Sequence, residues 1–140
     1  MMRTIFFVTI LFLSAYNSFG QDTLQIQKDT LPAPNAPRIT FLNKEYNFGS
    51  TTQGKVVSQT YEFTNTGKKT LKILSVQTGC DCTTVIWEKT PIEAGQKGKI
   101  TVVYAPKPNQ IGEQKKTIFV ISNAINKEEL LYLKGTVLEN

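Results

Sequence analysis

The sequence predicts an all-β fold: an immunoglobulin-like β-sandwich of about seven strands, preceded by a signal peptide and a Pro-containing linker. Three observations point there. From Ile39 onward, short apolar runs recur with a period of two. Gly, Pro and Asn fill the gaps between them, as strand-connecting turns require. No stretch after the N-terminal apolar run keeps the 3.6-residue period of a helix. Seven such runs within about 100 residues is the number that an immunoglobulin-like sandwich needs.

The chain opens with MMRTIFFVTILFLSAYNSFG, which carries one positive charge at Arg3 and an apolar run from Ile5 to Leu13 broken only by Thr9. That run is too short to span a bilayer. Ser18 and Gly20 stand third-last and last before Gln21, the small-x-small spacing of a cleaved secretory signal. Residues 1–20 are therefore expected to leave as a signal peptide, with cleavage between Gly20 and Gln21. Position 21 is not Cys, so the product is expected to be exported, periplasmic or secreted, and not a lipoprotein. It would carry no transmembrane segment. Residues 21–38 form a polar flexible linker in which Pro32, Pro34 and Pro37 favour an extended chain. The sandwich domain is expected over 39–138.

Within it, ITFLN (39–43) is the first strand. In VVSQTYEF (56–63), Val57, Tyr61 and Phe63 share one face while Ser58, Thr60 and Glu62 share the other. LKILSVQT (71–78) turns Leu71 and Ile73 to a core, then shifts phase at Leu74 before Val76, which predicts a bulge. TTVIWE (83–88), KITVVY (99–104), KTIFVIS (116–122) and ELLYLKGTV (129–137) complete the series. The expected core is Tyr61, Phe63, Leu71, Ile73, Ile100, Val102, Tyr104, Ile118, Val120, Leu131 and Leu133.

Charge narrows the partners. Removing Arg3 from the 16 basic residues leaves 15 against 11 acidic ones, an excess of +4. The lysines are scattered, with doublets only at Lys68/Lys69 and Lys115/Lys116, and nucleic-acid binding wants a cluster with interleaved aromatics. No nucleic acid is expected. The chain has no His, which removes Ser-His-Asp and Cys-His catalysis. Glu62, Glu88 and Glu93 show no spacing that marks a carboxylate pair, and no glycine-rich phosphate loop is present. The protein is not expected to be an enzyme and no cofactor is expected.

The segments YEFTNTG (61–67), the cysteine pair followed by Thr83, IEAG (92–95), the ITVVY strand, ISN (121–123) and LKGTV (133–137) together resemble the bacterial domain of unknown function 1573 family. The resemblance covers roughly residues 41–138. It implies an immunoglobulin-like sandwich similar to Hydin-like and major-sperm-protein-like domains, and an exported location, with no established activity. Two positions depart from the pattern: Asp81 stands where the family usually has Gly, and Ala94 where it usually has Pro. The turn at Ala94 can form without Pro.

The remaining chemistry lies in GCDCTT (79–84), which holds both cysteines. In an extended strand, residues two apart have Cα atoms about 6.6 Å apart, at the far edge of what a disulfide accepts. Gly79 can supply a bend, so a Cys80–Cys82 disulfide is open to the chain, strained and closing too small a loop to add much stability. Asp81 opposes thiolate formation unless a Lys lies nearby in space. For a metal, Cys80, Cys82 and Asp81 supply three ligands at most, short of a closed zinc site; two sulfurs could hold a soft Cu(I). The plainest role is to fill a corner where the chain leaves one sheet. Trp87 cannot pack on an inter-sheet disulfide, because the cysteines are two apart, and is expected as a core or edge aromatic.

The functional expectation is an exported, non-enzymatic immunoglobulin-like module that contacts an unknown envelope protein or surface polymer. The alternative is an envelope thiol protein using Cys80 and Cys82 for redox exchange or copper binding. The leader is checked first: the intact mass of protein from the envelope fraction should correspond to a chain starting at Gln21, and retention of the apolar run would mean a membrane-anchored domain.

Overall fold

A computed structural model describes residues 35–140; the expected signal peptide, its cleavage site at Gly20 and Gln21, and residues 21–34 of the expected linker lie outside the described residues. Eight strands follow in order: β1 (Ile39–Phe41), β2 (Glu45–Thr52), β3 (Val57–Asn65), β4 (Ile73–Thr78), β5 (Thr83–Trp87), β6 (Lys97–Tyr104), β7 (Gly112–Ser122) and β8 (Glu128–Leu138). They form two four-stranded sheets, β1-β3-β6-β5 and β2-β8-β7-β4. All pairings are antiparallel except β2 with β8, which run parallel. Among the described residues no segment is helical.

The period-two pattern sets which face of each strand is inside. Ile39 and Phe41 of β1, Tyr61 and Phe63 of β3, Ile100, Val102 and Tyr104 of β6, Ile118 and Val120 of β7, and Leu131, Leu133 and Val137 of β8 are all buried between the sheets. Each such side chain contributes about 1.5–3 kcal/mol on leaving water, so the core rests on the apolar strands. Ile73 is the exception among the expected core residues: it is only half-buried. The cause is the expected bulge. Ile73 pairs with Ser122 and Ser75 with Ile121, so Leu74 is the extra residue and stands 62% exposed.

The strand that the pattern did not reveal is β2, EYNFGSTT. It lies at a sheet edge, is mostly exposed, and its pairing with β8 is interrupted between Asn47 and Ser50, where Gly49 takes a φ of 71°. Its one alternating signal is Tyr46 and Phe48. Phe48 packs flat on Gly135 of β8, where an added Cβ would lie 2.3 Å from its ring. The IEAG segment forms a β-turn in which Gln96 N–H donates to Glu93 O at 3.0 Å. Gly95 has a φ of 79°, as the third position of a type II turn requires, and Ala94 takes the place open to Pro.

One end of the sandwich is closed by asparagine amides that stand in for backbone. Asn65, at the end of β3, is fully buried. Its Nδ2 donates to Lys69 O at 2.8 Å and Ile92 O at 2.9 Å, and its Oδ1 accepts from Gly67 N at 3.1 Å and Arg38 N at 3.3 Å. Asn126 presents its amide to the free edge of β1, accepting from Ile39 N at 3.2 Å and donating to Ile39 O at 2.7 Å. Asn123 does the same for Lys72 N at 2.8 Å and Thr70 O at 3.1 Å. Pro37 and Arg38, the last residues of the stretch read as linker, already belong to this end: Pro37 is buried, Ile125 N donates to its carbonyl, and Thr66 N donates to the Arg38 carbonyl.

Two outcomes are expected. Asn65→Ala removes the side-chain partner of four main-chain groups, of which Ile92 O keeps the N–H of Leu71, and each group left unpaired costs about 1–3 kcal/mol where buried. A loss of about 3 kcal/mol is expected, a drop of about 15 °C in Tm for a domain of this size, while Ser58→Ala on the exposed face should move it little; a calorimetric melt of each variant measures both. Tyr61 is 2% exposed and its hydroxyl donates to Tyr132 O at 2.9 Å. Burial, with Tyr46 nearby, pushes its ionisation from 10.0 up to about 12. The folded state thus holds this proton more tightly than the unfolded chain, so the linked stability is complete below pH about 10 and is lost as pH rises toward 12. Melts over that range should show a steeper fall for the native protein than for Tyr61→Phe.

Candidate functional site at the Cys80–Cys82 corner

The end opposite the asparagine closure is built from two connections. β4 ends at Thr78 and β5 begins at Thr83, so residues 79–82 carry the chain from the edge of one sheet to the edge of the other. The loop after β6, residues 105–111, folds over that crossing. The corner is fastened on both sides: Ala105 N donates to Cys82 O at 2.9 Å, and Thr78 Oγ1 lies 3.1 Å and 3.2 Å from the carbonyls of Cys80 and Thr83.

The bend that brings the two cysteines together is a turn. Thr83 N donates to Cys80 O at 3.2 Å, and the Cα atoms of Cys80 and Cys82 are 5.2 Å apart instead of about 6.6 Å. This lies inside the usual range for bonded cysteines, and the structure joins the two as a disulfide. The sulfurs differ in access. Cys82 is 5% exposed, whereas Cys80 is half-buried and lines an open cavity of about 270 Å³ with Thr78, Gly79, Thr83, Lys115, Lys116, Thr117 and Phe119. The cavity exists because β4 pairs with β7 only up to Thr78 opposite Ile118. Below that point the edge of β7 from Gly112 to Thr117 has no neighbour from β4, and Cys80 sits beside the gap.

The surroundings of the sulfurs differ from what their immediate neighbours in sequence suggest. The Asp81 carboxylate meets Lys107 Nζ at 2.5 Å, and the hydrogen bond and charge of Lys107 hold its carboxyl below the ordinary carboxylate range. Both side chains are well exposed, so the pair adds little stability. Its effect is local: it offsets the negative charge that would disfavour a thiolate. Gln110, from the same loop, points its amide at the disulfide, with Nε2 at 3.4 Å from Cys82 Sγ and 3.6 Å from Cys80 Sγ. Its Oε1 accepts from Lys107 N at 3.0 Å and Tyr104 Oη at 3.3 Å, so the donor end is the one left for the sulfurs. Lys116 lies half-buried at the mouth, 4.9 Å from the Tyr104 ring centre and 3.0 Å from Gln114 Oε1, and burial pushes its ammonium below the ordinary range.

Cys80, Cys82 and Asp81 do not present a metal set. Asp81 Oδ1 is 3.9 Å from Cys80 Sγ, its other oxygen is engaged by Lys107, and among the described residues no three His, Cys, Asp or Glu side chains gather around one point. Glu62 and Glu88 share a shallow surface cleft with Lys97 and Lys99, and Glu93 accepts from Thr70 Oγ1. Trp87 ends the edge strand β5, packed on the core with Lys89 Nζ 3.1 Å over its ring. Lys107 and Gln110 are the residues of the site that sequence reading missed. They stand 26 and 28 residues from Asp81 and Cys82, and no local spacing signals that this loop returns to the cysteines.

The two sheets and their strand order define an immunoglobulin-like β-sandwich. The chain belongs to the family described as protein of unknown function (DUF1573), whose model matches residues 39–137. No curated protein matches it. Among solved structures it is similar to a protein of unknown function from Porphyromonas gingivalis W83, at 19% identity and a TM-score of 0.66 over 76% of this chain and 50% of that one. It thus spans half the length of that relative. It is also similar to the ASH / PapD-like domain 7 of human CEP192, with 14% identity, a TM-score of 0.62, and coverage of 76% of this chain and 89% of that one. A family 123 glycoside hydrolase from Clostridium perfringens contains a similar domain, at 10% identity and a TM-score of 0.61 over 75% of this chain and 27% of that one. At these identities the likeness is one of fold.

Proposed function

We propose that the protein is an exported, non-enzymatic immunoglobulin-like module that binds an extended segment of an envelope protein along the free edge of β5. The observation that carries this reading is the contrast among the four sheet edges. Edge strands are normally guarded by charge, proline, a bulge or a covering group. β1 is covered by Asn126, β2 carries Glu45 and the irregularity at Gly49, and β4 carries the bulge at Leu74. β5, Thr-Thr-Val-Ile-Trp, has no charge, no proline and no break in its pairing with β6, and Ile86 stands 60% exposed on it.

Beyond Thr83, whose N–H and carbonyl are taken by Cys80 O and Thr78 Oγ1, such an edge offers main-chain donors and acceptors, and a partner strand would add its own apolar side chains beside Ile86 and Val85. A polymer lacking a peptide backbone would not use this feature, which favours a protein over a surface polymer. The apolar leader at the start of the chain supports placing the encounter in the envelope. Among the described residues no helix is long and apolar enough to cross a membrane.

The test places a photo-reactive residue at Ile86 or, as control, at Thr60 on the outer face of β3. Crosslinking from Ile86 to one envelope protein is expected, lost in the double variant Thr84→Lys/Ile86→Lys, whose melting should stay within about 0.5 kcal/mol of the parent as for most surface changes. Equal capture from Thr60, or capture that survives the charged edge, would contradict the reading.

A further inference from the structure

We infer that Cys80–Cys82 is a thiol–disulfide exchange site at which an anionic thiolate enters the cavity beside Lys115 and attacks Cys80. The inference is independent of the β5 edge and rests on three features of the corner.

The first is asymmetry of access. Cys80 lines the open cavity, while Cys82 is 5% exposed and covered by the loop after β6. An incoming thiolate can therefore reach only Cys80 along the direction that makes Cys82 the leaving sulfur. The second is a place for the leaving charge. A thiolate released at a buried position needs donors, because an unsolvated charge is costly. Gln110 Nε2 stands 3.4 Å from Cys82 Sγ and Thr83 Oγ1 stands 3.7 Å away, and the oxygen end of Gln110 is already held by Lys107 N and Tyr104 Oη. Gln110 is thus a positioning residue whose donor needs no reorientation when the bond opens. The third is the sign of the entrance. Lys115 and Lys116 line the cavity with Thr78, Thr83 and Thr117, the Lys115 ammonium standing 4.3 Å over the Tyr132 ring; no carboxylate is among the lining residues, and Asp81 at the corner is paired with Lys107. A thiol that itself carries carboxylates is the substrate class this lining attracts.

The step balances as an ordinary exchange. The thiolate R–S⁻ forms a bond to Cys80 Sγ as the Cys80–Cys82 bond breaks, and the electron pair leaves on Cys82, which takes up a proton. A second thiolate of the same class attacks the sulfur of R in the mixed disulfide. It releases R–S–S–R and leaves Cys80 as a thiolate that protonates in turn. Two thiols are oxidised to a disulfide and the protein disulfide is reduced to a dithiol.

The experiment uses the mature chain and three thiols compared at equal thiolate concentration: mercaptosuccinate, 2-mercaptoethanol and cysteamine. The anionic thiol should open the disulfide about fivefold faster than the cationic one, the size of one screened charge contact in water. The preference should vanish in Lys115→Ala. Stopping the reaction early with acid and mapping the adduct by mass spectrometry should place R on Cys80. In the single-cysteine variants, Cys80 in Cys82→Ser should react with the anionic aromatic disulfide dithiobis(nitrobenzoate) at least about tenfold faster than Cys82 in Cys80→Ser, from burial alone. Gln110→Leu should raise the pH at which the Cys82 thiolate absorbance develops in Cys80→Ser, a readout that a purely structural role would leave in place. A ten-residue peptide with one Cys flanked by Asp separates the sources: a faster reaction than mercaptosuccinate assigns protein thiols, a slower one assigns small thiols. The inference is overturned if the native disulfide opens only in denaturant, if the adduct falls on Cys82, or if the rate ignores thiol charge. Where a cysteine variant fails to melt cooperatively, the adduct map on the native chain decides alone.

Discussion

The fold depends on a single fully buried amide. Asn65 ends β3 where the sandwich runs out of strand, and there its amide supplies partners to main-chain groups of three different segments, sharing the Ile92 carbonyl with Leu71 N. A carboxamide has a donor end and an acceptor end spaced like those of a peptide group, so one side chain can replace a missing strand partner. Asn65 does so for Arg38, Gly67, Lys69 and Ile92 at once. This fixes where β1 enters, where the β3–β4 connection turns, and how the IEAG turn docks. Gly67 completes the arrangement, because an added Cβ there would lie 2.3 Å from Ala36 O. Asn123 and Asn126 extend the same device to the free edges of the segment before β4 and of β1.

With one end locked in this way, the other end is free to carry an irregular crossing. The same device reappears there in altered form: Gln110 anchors its oxygen on Lys107 N and Tyr104 Oη and turns its nitrogen to the two sulfurs. The amides at the closed end satisfy backbone, whereas this one faces a bond that chemistry can open. β6 links the two ends, since its core residues Ile100, Val102 and Tyr104 are all fully buried and Tyr104 terminates at the corner.

Most of the fold was legible because burial imposes a period of two on strands with one wet face. The phase shift at Leu74 was legible for the same reason: an extra residue in an otherwise strict alternation has to bulge. β2 was not legible, because an edge strand with few buried positions carries almost no alternation, and only Tyr46 and Phe48 betrayed it. The phase of Ile73 points to the core, and the bulge that the same phase change announces is what leaves it half-buried. At the site, the corner location of the cysteines could be read from the end of one apolar run and the start of the next. Their separation could not, because a turn at Cys80–Thr83 and an extended strand are both open to Gly-Cys-Asp-Cys. The pairing of Asp81 with Lys107 was beyond reach in sequence, since charge compensation between positions 26 apart is set by the loop after β6.

The account's central claim is that asparagine amides act as backbone at the closed end, and native-state hydrogen exchange tests it most directly. The N–H groups of Gly67 and Ile39 donate to Asn65 Oδ1 and Asn126 Oδ1, outside any strand ladder. If these bonds carry the closure, both amides should exchange only through global unfolding, with the same opening free energy as the amides of Phe63 and Val102 in the core strands. Exchange through local openings of about 1–2 kcal/mol, the behaviour of a frayed loop, would contradict it.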